Sequence, residues 1–197
     1  MKRTLVYKIG FIGNMEVGKT SIIERIVNPD QLDNPDSQTY DPTIGLDVKT
    51  KYFNIDGVTI KSHLYDTSGN PFFNDLCISY RKQSDILCIV YDVTNRISYE
   101  SIPYWISLRQ ISASTRTLLI GNKTDDTKKR VVSYEEGKQL SSVYNVDFIE
   151  TNYICNNIIC KLEEILLSIY KPAELHDNEN LLLLNNSSRN TNCCVIL

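Results

Sequence analysis

One segment of the chain has the glycine and lysine spacing of a phosphate-binding loop. It fits the pattern G-x-x-x-x-G-K-[ST] and reads Gly13-Asn14-Met15-Glu16-Val17-Gly18-Lys19-Thr20. The glycines let backbone N–H groups face a pyrophosphate, Lys19 neutralises the β and γ oxygens, and the Thr20 hydroxyl coordinates Mg²⁺. The following helix, which includes Ser21, adds its N-terminal dipole. The segment from Gly13 to Ser21 therefore predicts a nucleotide site but not the identity of the base.

A second segment has residue types that recognise guanine. It reads Asn122-Lys123-Thr124-Asp125 and follows a predicted strand, so it would lie at the carboxyl edge of a parallel sheet. A carboxylate there accepts the N–H donors of guanine N1 and N2, and adenine lacks that donor pair. A buried Asp125 would reject adenine because the carboxylate would be left unpaired. An adenine-using enzyme with the same loop is the disfavoured alternative.

Two segments between these motifs offer further ligands. The first reads Tyr40-Asp41-Pro42-Thr43-Ile44-Gly45, in which Thr43 can offer its hydroxyl to Mg²⁺ and its N–H to the γ-phosphate, with Tyr40 as a further predicted nucleotide contact. The second reads Asp66-Thr67-Ser68-Gly69, in which Asp66 can hold a Mg²⁺-bound water and Gly69 can donate its N–H to a γ oxygen. The predicted metal ligands are thus Thr20, Thr43 and Asp66. Both loops would be ordered by a triphosphate and loosened by its hydrolysis.

Apolar runs that alternate with helix-like segments predict the elements that position these residues. This alternation is typical of βαβ units and a mostly parallel sheet. The candidate strands are Leu5–Ile12, Leu46–Ile55, Val58–Tyr65, Ile86–Tyr91, Thr117–Ile120 and Val146–Ile149. The candidate helices are Lys19–Val27, Ser98–Ile111, Ser133–Tyr144 and Asn156–Tyr170.

Local signals refine this pattern. Asp56-Gly57 is a tight hairpin signal, so the second and third strands should be antiparallel. Ser133 and Glu136 have the spacing of a capping box. In the last helix a core-facing stripe is predicted at Ile158, Ile159, Leu162, Ile165, Leu166 and Ile169.

Composition limits the class of protein. The 197 residues are 42% hydrophobic and 23% charged, which suits one globular domain with a short appendage. A net charge of −3 argues against a nucleic-acid-binding protein. No apolar run approaches the roughly 18 residues of a membrane span, and the N-terminus lacks a signal-peptide pattern, so a cytosolic location is expected.

Four cysteines lie singly in apolar segments, and each is predicted to be a small buried thiol: Cys77, Cys88, Cys155 and Cys160. Zinc sites and Cys/His nucleophiles are disfavoured because the only histidines are His63 and His176.

With these motifs in this order, the chain resembles the Ras superfamily of small GTPases over about Leu5–Tyr170. The features that resemble the Rab branch are Tyr91-Asp92-Val93-Thr94-Asn95, Ile44-Gly45-Leu46-Asp47, Trp105 and Glu150-Thr151. The resemblance implies an α/β fold of the P-loop NTPase type, with a six-stranded mostly parallel sheet, one antiparallel edge strand and about five flanking helices. Residues 1–171 would form the GTPase domain.

The same resemblance implies a switch that binds GTP or GDP with Mg²⁺, hydrolyses GTP and regulates vesicle traffic. Its partners would be effectors, an exchange factor and a GTPase-activating protein. The residues that it implies for hydrolysis are Lys19, Gly69 and Asn70.

The chain departs from the family at the position of the attacking water. Asn70 replaces the usual glutamine and is one methylene shorter, and Met15 replaces a small residue that leaves room for that glutamine and for an arginine finger. An arginine finger contributes about 10³ to 10⁵ in rate, so slow intrinsic hydrolysis is predicted. Two alternatives stay open: an activator supplies the missing glutamine, or the protein is a GTP-loaded binding module or decoy that hardly hydrolyses GTP.

Two further departures concern nucleotide contacts. Glu16 is unusual beside phosphates, unless its carboxylate points into solvent. The last base-contacting loop reads Asn152-Tyr153-Ile154, where the family usually has Ser-Ala-Lys. The Tyr153 N–H can still reach guanine O6, but the lysine is missing, so looser base binding is predicted.

The end of the sequence has the pattern of a lipid-acceptor tail. Residues 172–197 are expected to be flexible and end in Cys193-Cys194-Val195-Ile196-Leu197. Cys194 begins a C-a-a-X pattern whose leucine favours geranylgeranyl addition, and Cys193 offers a second site. Arg189 is the only basic residue after Pro172, so a second lipid rather than a polybasic patch is predicted to complete the anchor. This implies a prenylation escort, a dissociation inhibitor and a peripheral position on the cytosolic face of an endomembrane.

Overall fold

The structure of the chain is a computed structural model, and it describes residues 5–29, 43–70, 83–108, 115–152 and 156–169. Within these ranges there are six strands. Their bounds are β1 Leu5–Ile12, β2 Leu46–Ile55, β3 Val58–Thr67, β4 Ile86–Asp92, β5 Arg116–Asn122 and β6 Asp147–Glu150. All six predicted strands are confirmed. Several extend further toward their carboxyl ends than predicted, so that Asp66 and Asn122 belong to strands rather than to the loops that follow.

The strands form one six-stranded sheet in the order β2-β3-β1-β4-β5-β6. Every neighbouring pair is parallel except β2 and β3, which makes β2 an antiparallel edge strand as predicted. The β2–β3 turn consists of Asp56 at φ 49° and Gly57 at φ 78°, and two positive φ angles give the twist that a two-residue hairpin requires.

Five helices lie within the described residues. Their bounds are α1 Lys19–Val27, α2 Arg96–Glu100, α3 Ile102–Ser107, α4 Tyr134–Tyr144 and α5 Asn156–Ile169. The capping box is confirmed, since the Ser133 hydroxyl accepts from the Glu136 N–H and the Glu136 carboxylate accepts from the Ser133 N–H. The prediction of one helix over Ser98–Ile111 is wrong. Pro103 has no N–H to continue the helix, and the chain instead forms two short helices that meet at Ser101.

The core lies on both faces of the sheet. Alternate side chains of β1 point to opposite faces, so Phe11 packs on the side of α1 and α5, whereas Ile12 packs on the side of α3 and α4. The central strand β4 is buried along its whole length because both of its faces are covered. The apolar stripe predicted for α5 is confirmed by the burial of Ile158, Leu162, Ile165 and Leu166 and by the partial burial of Ile159 and Ile169.

The cysteines divide between core and surface. Cys88 on β4 is buried as predicted, and burial raises the pKa of its thiol. The prediction is wrong for Cys160, which is exposed because the core stripe of α5 turns that position away from the sheet. Cys77 and Cys155 lie outside the described residues. Among the described helices, none is long and apolar enough to cross a membrane.

Candidate functional site

The loop between β1 and α1 requires glycine at both of its ends. Gly13 has φ 143° and a Cβ atom there would lie 2.2 Å from the carbonyl oxygen of Val90. Gly18 has φ 93°, and its Cβ would lie 2.3 Å from the Nδ2 of Asn122. Both positions combine a left-handed backbone with a close neighbour, so only glycine fits. Between them Val17 is buried, whereas Met15 and Glu16 are exposed.

Lys19 is held over this loop by the loop's own carbonyl groups. Its side chain is buried, and its Nζ donates to the carbonyl oxygens of Gly13 at 3.0 Å and Asn14 at 2.7 Å. These bonds fix the ammonium group at the start of α1. There its charge and the N-terminal dipole of the helix both favour an anion. Ser21 follows on the first turn of the same helix and is exposed.

The three predicted metal ligands converge on one point. The Thr20 hydroxyl donates to Oδ2 of Asp66 at 2.6 Å, the Thr43 hydroxyl donates to the same oxygen at 3.2 Å, and the two hydroxyl oxygens are 3.0 Å apart. They come from α1, from the segment before β2 and from the end of β3. The sequence places these residues far apart, and the fold brings them together beside Lys19.

Asp66 has the environment of a buried carboxylate with one oxygen still to be satisfied. It is 2% exposed, and its Oδ1 has no hydrogen-bond partner within the described structure. Burial raises its pKa, against the lowering effects of the Thr20 hydrogen bond and the Lys19 charge. Two hydroxyl oxygens and a carboxylate are hard oxygen ligands of the kind that Mg²⁺ prefers, and an unsatisfied buried oxygen fits a water-mediated contact to that ion. Thr20, Thr43 and Asp66 therefore fit the predicted metal.

Gly69 lies directly on the phosphate loop. A Cβ atom at this position would be 2.4 Å from both the carbonyl carbon of Asn14 and the nitrogen of Met15. This close approach excludes any side chain and brings the segment after β3 against the loop that precedes α1. The next residue, Asn70, donates its N–H to the Ser68 hydroxyl at 3.2 Å. Two of the three residues predicted for hydrolysis, Lys19 and Gly69, thus lie at the phosphate loop. The third, Asn70, follows Gly69 directly in the sequence.

The predicted base motif is attached to the phosphate loop. Nδ2 of Asn122 donates to the carbonyl oxygen of Val17 at 2.9 Å, and Asn122 is buried. Lys123 adopts φ 65°, and its Nζ forms an ion pair with Oδ2 of Asp92 at 2.7 Å. Asp125 is exposed, which corrects the prediction that it would be buried. It lies in a surface turn in which the Thr127 N–H donates to the Asp125 carbonyl at 3.0 Å, so its carboxylate is open to a ligand.

The residues that lead into the last base loop are joined to the base motif Asn122–Asp125. The Thr151 N–H donates to the carbonyl of Gly121 at 2.8 Å, and the Thr124 N–H and hydroxyl both donate to the carbonyl of Thr151, at 3.2 and 3.0 Å. Asn157 adds two bonds: its Nδ2 donates to the Glu150 carbonyl at 2.6 Å, and its Oδ1 accepts from the Thr151 hydroxyl at 3.0 Å. Asn152 follows and is half-buried.

The described site residues lie together at the carboxyl ends of β1, β3, β5 and β6 and at the start of α1. Parallel strands present their carboxyl ends at one edge, and ligands of open α/β sheets bind there. The other predicted site residues lie outside the described residues: Tyr40, Tyr153, Ile154, Cys193 and Cys194.

Sequence reasoning missed the contacts that support the site. Arg130 pairs with Glu150, Asn157 binds the Glu150 carbonyl and the Thr151 hydroxyl, and Trp105 donates its indole N–H to Asn14. The sequence singled out Trp105 and Glu150 only as features that resemble the Rab branch, with no structural role. Arg130 and Asn157 belong to no short motif, and a polar side chain is a signal that many surface residues share.

A comparison with known protein families bears on the whole of this site. The model of the Ras family matches residues 8–171 of the chain. The matched stretch runs from within β1 to beyond the end of α5 and includes the phosphate loop, the Thr20–Thr43–Asp66 cluster and both predicted base segments.

Proposed function

The chain belongs to the Ras family, and from this premise we propose that it is a Rab-like GTP-binding switch whose own hydrolysis of GTP is slow. Membership of the family already makes the chain a GTPase of the switch type, which binds guanine nucleotide with Mg²⁺ and works through regulators and effectors. The Rab-like role in vesicle traffic rests on the segments Ile44–Asp47 and Tyr91–Asn95 and on Trp105.

The observation that carries the switch function is the convergence of Thr20, Thr43 and Asp66 beside Lys19. Phosphoryl transfer needs positioning and charge stabilisation rather than a strong base. Mg²⁺ held by Thr20, Thr43 and Asp66 would neutralise negative charge on the phosphates. Lys19 adds a fixed positive charge, and Gly69 and Thr43 offer N–H groups from two segments that are joined to each other by the Thr43–Asp66 and Ser68–Gly45 hydrogen bonds. Both segments are therefore positioned to sense the γ-phosphate.

Nucleotide competition tests this function. The full chain is loaded with a fluorescent GDP in Mg²⁺ and challenged with GDP, GTP or ADP. Guanine nucleotides are expected to displace the probe, and ADP is not, because the exposed Asp125 carboxylate finds its N–H donor pair only on guanine. Asp125→Asn should reduce the discrimination. Displacement by ADP at the same concentration as GDP would contradict the proposal.

Slow hydrolysis is supported by two side chains next to the γ-phosphate position. The Asn70 amide is one methylene shorter than glutamine and reaches less far toward an attacking water. Met15 is 42% exposed, and its backbone nitrogen lies against Gly69, so a large side chain belongs to the part of the loop that the segment before Asn70 touches. Single-turnover hydrolysis is expected to accelerate in Asn70→Gln, in Met15→Gly, or in the double variant. Unchanged rates in all three would contradict slow hydrolysis while leaving the nucleotide site intact.

A GTP-loaded binding module or decoy is a second candidate, favoured by the same two residues. It differs from a slow switch in its response to an activator. A protein of the activating class that inserts its own glutamine should accelerate the wild-type chain if it is a switch. A module that only retains GTP should stay unresponsive even when Asn70→Gln responds.

The proposed location is the cytosolic face of an endomembrane, reached through lipids on Cys193 and Cys194. The sequence Cys193–Leu197 supports this, because a single lipid gives only marginal anchoring and the segment offers two adjacent thiols. A prenylation escort and a dissociation inhibitor are the partners that such a tail requires. Intact mass of the chain expressed in eukaryotic cells should show one or two geranylgeranyl groups, and Cys193→Ser with Cys194→Ser should remove them.

A further inference from the structure

The side chain of Asn14 in the phosphate loop is bound at both ends of its amide by one helical segment. Oδ1 accepts the indole N–H of Trp105 at 2.6 Å, and Nδ2 donates to the hydroxyl of Ser101 at 3.2 Å. Ser101 lies at the junction of α2 and α3, and Trp105 lies on α3. The two partners are four residues apart, so both face the same side of the helical segment.

The partners of Asn14 are rigidly placed. Trp105 is 4% exposed and packs in the core cluster that also contains Ile12, Leu87 and Ile102. The backbone N–H of Trp105 donates to the carbonyl of Ser101 at 3.2 Å, which fixes one residue relative to the other. A buried indole N–H needs an acceptor, and Asn14 supplies it. The bond therefore links a fixed point of the core to the phosphate loop.

The main chain of Asn14 takes part in the site itself. Its carbonyl oxygen accepts from Nζ of Lys19 at 2.7 Å. Its carbonyl carbon lies 2.4 Å from the position that a Cβ of Gly69 would occupy. A rotation of Asn14 would thus move the carbonyl that orients the Lys19 ammonium and the surface on which Gly69 rests.

We propose that Trp105 and Ser101 are positioning residues for the phosphate site. They hold the amide of Asn14, and through it they hold the backbone that places Lys19 and Gly69. The proposal rests on the proposed function, because its consequence is tighter retention of guanine nucleotide. These contacts also couple the α2–α3 segment to the phosphate loop. Among the described contacts, Asn14 is the only predicted nucleotide ligand that this segment touches.

A double-mutant cycle on the full chain separates this role from ordinary core packing. Trp105→Phe keeps an aromatic ring but removes the donor, and Asn14→Ala removes the acceptor. The measured quantity is the dissociation rate of fluorescent GDP in Mg²⁺. Tyr99→Phe is the matched control. The Tyr99 hydroxyl donates to the Glu136 carbonyl at 3.1 Å. This variant therefore also deletes a hydrogen bond made by the α2–α3 segment, but the acceptor lies on α4, away from the phosphate loop.

Trp105→Phe is expected to accelerate GDP dissociation about three- to tenfold, the effect of losing one hydrogen bond. Tyr99→Phe should leave the rate unchanged, and Trp105→Phe should add nothing in the Asn14→Ala background. An unchanged rate in Trp105→Phe overturns the proposal. The same acceleration in both backgrounds also overturns it, since Trp105 would then act through packing alone.

Ser101→Ala provides a second, milder variant if Trp105→Phe does not fold. It removes the acceptor of Asn14 Nδ2 and is expected to accelerate dissociation by a smaller factor, again only when Asn14 is present; no acceleration overturns the role of Ser101. Failure of the proposed function looks different, because the unaltered chain would then not retain guanine nucleotide at all.

Discussion

Arg130 binds Glu150 through two parallel hydrogen bonds, Nη1 to Oε1 at 2.8 Å and Nη2 to Oε2 at 2.7 Å. Nη1 of Arg130 also donates to the carbonyl of Val132 at 3.1 Å. Glu150 immediately precedes Thr151, whose backbone is hydrogen-bonded to Gly121 and Thr124 at the base motif. The pair therefore anchors the end of β6, just before the last base loop, to the segment that leads into α4.

Arg130→Lys tests this anchor. Lysine keeps the charge but cannot form the two-pronged contact, so the free energy of unfolding should fall by about 1 to 2 kcal/mol. GDP should also dissociate faster, because the loop after Glu150 is less restrained. Chemical denaturation and GDP release measure the two effects.

Arg116→Lys is the matched control. Arg116 pairs with Asp147 at 3.2 Å at the opposite, amino end of β6, and its side chain is 49% exposed. Exposed pairs contribute about 0 to 1 kcal/mol, and this one does not touch a base loop. Equal losses of stability and equal GDP release in the two variants would show that the Arg130–Glu150 pair has no special role.

Short motifs allowed most of the candidate site to be predicted, because each motif places its residues in one loop or at the end of one strand. Gly13, Gly18 and Lys19 are close together in the sequence. The placement of Thr43 and Asp66 near them could be predicted from the order of strands and helices in an α/β sheet. The antiparallel β2–β3 pair was predictable because Asp56-Gly57 has strong local turn preferences.

The supporting contacts could not be predicted in the same way. Arg130 and Glu150 are 20 residues apart, and Asn14 and Trp105 are 91 residues apart, so each pair forms only once the sheet has brought distant segments together. The break between α2 and α3 was missed because the apolar periodicity continues through Pro103, and periodicity does not record the lost N–H. Cys160 was misplaced because apolar neighbours suggested burial where the helical angle turns the side chain outward.

The pH dependence of stability should depend on Glu136. Hydrogen bonds from the Ser133 backbone and from Arg96 lower its pKa from 4.5 to about 2. A carboxyl group whose pKa is lower in the folded state stabilises the fold above pH 4.5, and that contribution disappears as the pH falls toward 2. Glu136→Gln should therefore be less stable than wild type at pH 7, with the difference shrinking between pH 4.5 and 2.

Thermal denaturation across that pH range measures the effect of Glu136. Glu135→Gln, which removes a neighbouring carboxylate that does not belong to the capping box, should show a smaller difference at pH 7. A constant difference between Glu136→Gln and wild type from pH 7 to pH 2 would contradict the prediction.

Asp66→Asn should stabilise the metal-free domain and weaken the Mg²⁺-dependent retention of GDP. Burial raises the pKa of Asp66 despite the Lys19 charge beside it, so the ionised group is costly when no metal ion is bound, and the amide should make the nucleotide-free domain more stable in EDTA. The variant loses the carboxylate that fits Mg²⁺, so GDP should dissociate in Mg²⁺ as fast as it leaves the wild type in EDTA. Asp47→Asn, which removes a like charge paired with Asp66 on β2, should leave the Mg²⁺ dependence of GDP release intact. A Mg²⁺ dependence retained by Asp66→Asn would contradict the assignment of this ligand.

Glu16 combines backbone strain with an unfavourable charge, and two substitutions separate these effects. Its φ of 64° lies in the left-handed region, which costs a residue with a side chain about 1 to 2 kcal/mol. Part of the gain from Glu16→Gly is offset because glycine adds about 0.4 to 1 kcal/mol of chain entropy to the unfolded state. The net expectation is a stabilisation of about 1 kcal/mol or less for Glu16→Gly, and none for Glu16→Gln, since glutamine keeps the Cβ.

The charge effect of Glu16 should appear in nucleotide release instead. Both Glu16→Gly and Glu16→Gln remove a carboxylate from the phosphate loop, and like charges repel, so both should slow GDP dissociation. Raising the ionic strength should shrink the difference from wild type, because the side chain is exposed and its field is screened. If only Glu16→Gly slows release, strain rather than charge controls the loop. If neither variant does, the carboxylate points away from the phosphates and has no part in nucleotide retention.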